Sequence, residues 1–143
     1  MVTLKGDVAK GKAGAARCYS CHQFDGLGAA FGPDLRGWAQ NRSVEEVATA
    51  IIDPSAGIAH GFEGHVVTLE PTETRSFAQV NGILVSDGDP LTIRSQGGLV
   101  QQIPSTLIHY HRPYNRSLML SAHQLGMSEQ DVADVVAYPK SYR

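Results

Sequence analysis

The chain has 143 residues, 42% of them apolar and 18% charged, the size and make-up of a single globular domain with a modest core. Its formal net charge of −2 argues against nucleic acid as a partner, because phosphate binding needs a surplus of Lys and Arg. No apolar run approaches the roughly 20 residues of a transmembrane helix. Charge is unevenly spread: residues 1–42 carry a net +3, residues 43–111 a net −6 and residues 112–143 a net +1. If the ends fold together, a positive rim steers partners to that side; a solvated charge mosaic is the plainer alternative. No basic segment followed by an apolar stretch and a cleavage site opens the sequence, which leaves the compartment open.

In chain order, Asp7 to Arg17 spaces Ala and Val for a short helix, with Gly11 and Gly14 leaving room for another backbone. A Gly- and Pro-rich loop is predicted from Phe24 to Gly37. Ser43 and Glu46 form a capping-box signature before the stripe Val44, Val47, Ala48, Ile51 and Ile52, and Asp53-Pro54 ends that helix. From about residue 62 to 103 the pattern turns to strands, at His65 to Leu69, Phe77 to Val85, Leu91 to Arg94 and Leu99 to Ile103. Asn81-Gly82 marks a bulge or bend, Asp87-Gly88-Asp89-Pro90 a tight connection, and Gly97-Gly98 a hairpin. In the last segment Ser128 with Asp131 caps a helix, Met127 staples onto Val132, and Pro139 ends it. The reading is one domain over 1–143, mainly α, with a small antiparallel β insert at about 62–103.

The one strong motif is Cys18-Tyr19-Ser20-Cys21-His22, the pattern of a c-type haem attachment site. Two thiols at this spacing suit the two vinyl groups of one porphyrin, and the adjacent histidine then lies under the ring to ligate iron. A zinc half-site or a thioredoxin-like redox pair also uses Cys-x-x-Cys. Zinc needs two further ligands from His60, His65, His109, His111 or His123, which lack regular spacing, and a redox pair should follow a strand in a βαβ unit, whereas a helical segment precedes Cys18. Haem accounts for His22 best, and the expected cofactor is one covalent haem c. Of the three methionines, Met1 lies close to the attachment motif, Met127 suits core packing, and Met119 falls in a loop able to reach the distal face. On position alone Met119 and the histidines remain open as the sixth ligand.

With this motif, the run Gly32-Pro33-Asp34-Leu35, then Ser117-Leu118-Met119 and the closing Ser-Glu-Gln-Asp-Val-Ala-Asp helix in order, the chain resembles a class I cytochrome c. It resembles more closely the planctomycete and verrucomicrobial haem-binding domain family, from about Gly11 to Tyr138 and including Ile52-Asp53-Pro54-Ser55. The resemblance implies a helical fold around one haem, Cys18 and Cys21 as attachment points, and His22 and Met119 as axial ligands. It further implies that the Pro33 carbonyl receives the free His22 nitrogen, and it makes Arg36, Trp38 and Arg42 candidate partners of the haem propionates. Leu120 replaces the proline usual after the ligand methionine, so His123 is the runner-up ligand; Pro139 and a longer first hairpin loop also depart from the family pattern. The implied function is a single-electron carrier rather than an enzyme, in the periplasm or another extracytoplasmic space, serving redox proteins such as a dehydrogenase or terminal oxidase. The rival is a haem peroxidase or gas-binding domain with an open sixth position.

Overall fold

The computed structural model describes residues 4–142; Met1 lies outside them. Helix α1 spans Val8–Gly14, capped by the Asp7 carboxylate, which accepts from Lys10 N at 3.0 Å. A tight 3-10 turn, Ala15–Cys18, carries the chain directly into the cysteine motif. Helix α2 (Leu35–Gln40) stands where the sequence reading put the end of a loop; Asp34 caps it, accepting from Arg36 N and Gly37 N. Helix α3 (Val44–Ile52) begins at the capping box formed by Ser43 and Glu46 and ends at Asp53. Strands β1 (Gly64–Leu69), β2 (Ala78–Ser86), β3 (Leu91–Arg94), β4 (Val100–Ile103) and β5 (Ile108–Pro113) follow, and α4 (Glu129–Lys140) closes the chain behind a Ser128/Asp131 capping box.

Helix accounts for 32% and strand for 24% of the structure, so the expectation of a mainly α fold is corrected to a mixed α and β one. The insert also runs further than 103. Its five strands form one antiparallel sheet in the order β4-β3-β2-β1-β5. Strand β5 escaped the sequence reading because Ile-His-Tyr-His-Arg-Pro is polar and weakly patterned, as an exposed edge strand with a terminal proline is free to be. Asn81-Gly82 lies in regular register opposite Val66 and His65, and the irregularity falls between Leu84 and Ser86 instead. Gly82 is required for a different reason: a side chain there would overlap the Arg94 carbonyl oxygen on β3.

Two apolar clusters do most of the packing. Ala39, Val47, Ala48, Ala122, Val132 and Val136 join α2, α3 and α4, with Met127 and Trp38 against them. Val67, Leu91, Ile93 and Ile103 fill one face of the sheet. Lys140 adds a polar tie, its ammonium donating to the carbonyls of Ala39 and Arg42 beyond α2. Pro139 lies inside α4 rather than ending it: the helix runs one residue further, to Lys140. A proline already holds a helical φ, and in the last turn its missing N–H forfeits a single bond.

Helices α1 and α4 cross closely. Side chains at Gly6 or Gly11 would overlap the carbonyl oxygens of Ala133 and Asp134. The crossing is latched by Asp134, whose carboxylate accepts from Asp7 N and Gln130 Nε2, both at 2.8 Å. The Asp7 N–H bond is the main cause holding that carboxyl below its ordinary range. A depressed carboxylate contributes stability that is complete above its unfolded-state value and is lost as pH falls through the folded one. Asp134→Asn is therefore expected to be less stable at neutral pH yet to lose less on acidification, a flatter acid arm in denaturant titrations between neutral pH and pH ~3. An acid arm as steep as the parent's would remove Asp134 from the latch.

The sheet touches the loop that carries Leu118. A side chain on Gly64 would lie 3.0 Å from Leu118 Cγ. The Leu118 loop is itself pinned on both sides: Tyr114 N donates to Gly64 O at 2.9 Å, Ser117 N to Ser55 Oγ at 3.1 Å, and Ala122 N to Ile51 O at 2.7 Å.

Candidate functional site

Cys18 ends the 3-10 turn, and the next turn is closed by Cys21 N and His22 N, both donating to Cys18 O at 3.1 and 2.8 Å. Tyr19 O and Cys21 O hold the following loop by accepting from Ala29 N, Phe31 N and Gly32 N. That loop doubles back beneath His22. It needs glycine where it does so: Gly28 has φ +92°, and a side chain on Gly32 would overlap the His22 ring. No disulfide joins the two cysteines, and burial is the main cause raising the Cys18 thiol above its ordinary value.

His22 is 8% exposed, and its Nδ1 lies 2.7 Å from the Pro33 carbonyl oxygen. A carbonyl only accepts, so the hydrogen is on Nδ1 and the Nε2 lone pair is free. Burial lowers the His22 value, against a smaller rise from the Pro33 bond. The imidazole is thus neutral and oriented, with Nε2 available to a metal.

Cys18, Cys21 and His22 line one apolar cleft. Phe31 and Ile51 stand on its walls, Pro54, Ile58 and Phe62 come from the segment after α3, and Tyr138 from α4. Leu118 and Met119 also line it. Met119 N donates to Ser117 Oγ at 3.1 Å, which fixes the turn carrying the thioether. Met127 packs in the helical core instead, and His123 is exposed and off the cleft.

The sequence model of the cytochrome c family matches residues 8–83. The chain belongs to the cytochrome c family. No curated protein matches it. The cytochrome therefore binds haem c covalently, with its iron, and serves electron transfer. The match takes in α1, the cysteine motif, α2 and α3 and stops inside β2, so Met119 and α4 lie beyond it.

The residues present fit such a group. The cleft is apolar, and Trp38 on its wall has a buried Nε1–H with no partner. A buried donor left unpaired costs about 1–3 kcal/mol, and an acceptor on a cleft occupant would relieve it. The two arginines named from sequence have protein partners. Arg36 pairs with Asp25 at 3.1 Å and lies over the Tyr142 ring. Arg42 stacks 4.4 Å over Trp38 and donates to Trp38 O. Neither lines the cleft. Sequence reasoning also missed Ile83 as a cleft wall; it lies mid-strand in an apolar run, and nothing in that run tells one sheet face from the other.

Proposed function

We propose that this cytochrome carries single electrons between extracytoplasmic redox proteins through one haem c joined to Cys18 and Cys21, with His22 and Met119 as axial ligands. The carrying observation is that these four side chains, which span 102 positions of sequence, line one apolar cleft. Bound haem supplies a one-electron iron couple. The chain's own part is to hold it. The Pro33 carbonyl orients His22 and raises its basicity as a ligand, and the pinned Leu118-Met119 loop brings a thioether side chain to the cleft. Ligands kept in both oxidation states make electron exchange fast, and thioether ligation in an apolar cleft favours the less charged ferrous form.

The narrower resemblance to planctomycete and verrucomicrobial haem-binding domains is supported by the Ser55–Ser117 hydrogen bond, which joins two of the sequence stretches that carry it. Haem c attachment follows export, so the working compartment is extracytoplasmic, and a dehydrogenase or terminal oxidase is the kind of partner the resemblance favours. The test is the visible spectrum of exported, haem-matured protein in both oxidation states. The expected result is low-spin absorption with the red charge-transfer band of methionine on ferric iron. A high-spin spectrum, or tight carbon monoxide binding by the ferrous protein, would overturn His22/Met119 ligation in favour of an open-site haem protein.

A further inference from the structure

We propose that Arg94, carried by the sheet insert, holds a propionate carboxylate of the haem, so that the insert completes the haem site. This rests on the reading of the cleft as the haem site given above. Arg94 on β3 is the direct cross-strand partner of Ile83 on β2, and direct partners project from the same face of a sheet. Ile83 lines the cleft, so Arg94 leaves the sheet on the face that supplies that wall residue, beside the cleft rather than in its lining. Its Nε is buried and has no hydrogen-bond partner, and among the described residues no carboxylate pairs with it.

A buried guanidinium nitrogen without an acceptor is unfavourable, the more so because the group cannot shed its charge. Arginine's planar fork fits a carboxylate. The β3–β4 hairpin also reaches the attachment loop, where a side chain on Gly98 would lie 3.9 Å from Ala30 N, next to Phe31 and Gly32 of the cleft wall. Of two orphaned donors, Trp38 Nε1 belongs to the cleft wall and Arg94 Nε to the sheet face that supplies Ile83 to it, and the occupant of the cleft carries two carboxylates. Arg36 is engaged by Asp25 and Arg42 by the Trp38 ring, whereas Arg94 has neither a carboxylate nor a ring partner among the described residues.

Arg94→Gln and Arg94→Lys decide it, measured as holoproteins by redox titration at neutral pH. Removing the cation leaves a propionate charge uncompensated and favours ferric iron. The equilibrium constant for reduction is expected to fall about tenfold in Arg94→Gln, which is ~59 mV for a one-electron couple, and to stay close to the parent in Arg94→Lys. A parental potential in Arg94→Gln, or an equal fall in both variants, overturns the proposal while the low-spin spectrum leaves the axial ligands standing. A parent without that spectrum counts against the ligand reading instead. One measurement needs no variant to fold: in a nitrogen-15 spectrum of the parent, the Arg94 Nε–H signal should move between ferric and ferrous forms. A signal indifferent to oxidation state overturns the placement.

Discussion

Met119→Ala is expected to lower the reduction potential by a sizeable part of the roughly 0.8 V that axial ligation commands, with loss of the methionine-to-iron band. The thioether is a weak donor that favours ferrous iron, and water or a stray side chain in its place favours the ferric form. Replacing a half-buried side chain in a loop leaves the helical core untouched, because the loop is held from its flanks by Ser117 on Ser55 and Ala122 on Ile51. The variant should therefore mature and fold, and its ferrous form should bind carbon monoxide tightly. His123, exposed and off the cleft, offers the contrast: His123→Ala should leave spectrum and potential as they were. An unchanged spectrum in Met119→Ala, or a changed one in His123→Ala, would transfer the ligand role away from Met119.

The second large effect is on stability. Gly11→Ala should destabilise the holoprotein by about 2–3 kcal/mol, the upper end of the usual overpacking range, and lower Tm by on the order of 10 °C for a chain of this size. Two effects oppose each other. Alanine is the better helix former by about 1 kcal/mol, which favours the variant. Its methyl group, however, would overlap the Asp134 carbonyl oxygen and lie 2.6 Å from the carbonyl carbon and 3.1 Å from Tyr138 Cβ. Backbone atoms have no rotamer to move away to, so α1 and α4 must separate, and the Asp7–Asp134 latch and the Tyr138 cleft wall go with them. Gly14→Ala is the control: its methyl would meet only Val135 Cγ2, at 3.0 Å, one side-chain atom rather than backbone. It should stay within about 1 kcal/mol of the parent. Equal losses at Gly11 and Gly14 in denaturant unfolding would mean that helix entropy, not the crossing, decides both.

Residues adjacent in sequence determined much of this by themselves. Cys18, Cys21 and His22 name a haem site because the chemistry needs those groups at that spacing. Ser43 with Glu46 and Ser128 with Asp131 start their helices as expected, since a capping box is a contact within four residues. The α2 helix was legible in principle, from Asp34 as its cap, but Pro33 and Gly37 beside it read as loop. The extent of the sheet was not legible: β5 earns its place only by pairing with β1, on the far side of β2, β3 and β4 in the chain.

The tertiary structure alone decided which of the candidate groups meet. Met119 and Met127 are alike as residues, and only the packing of the Leu118 loop against Gly64 and α3 turns one to the cleft and the other to the core. Arg36 and Arg42 looked as suited to a propionate as any arginine, yet Asp25 and the Trp38 ring engage them, and Arg94 stands beside the cleft by its register with Ile83. The physical reason is common to these cases. A local motif is satisfied by its own neighbours, whereas the direction of a side chain depends on strand register and helix crossing, which arise only when distant segments bury their surfaces together.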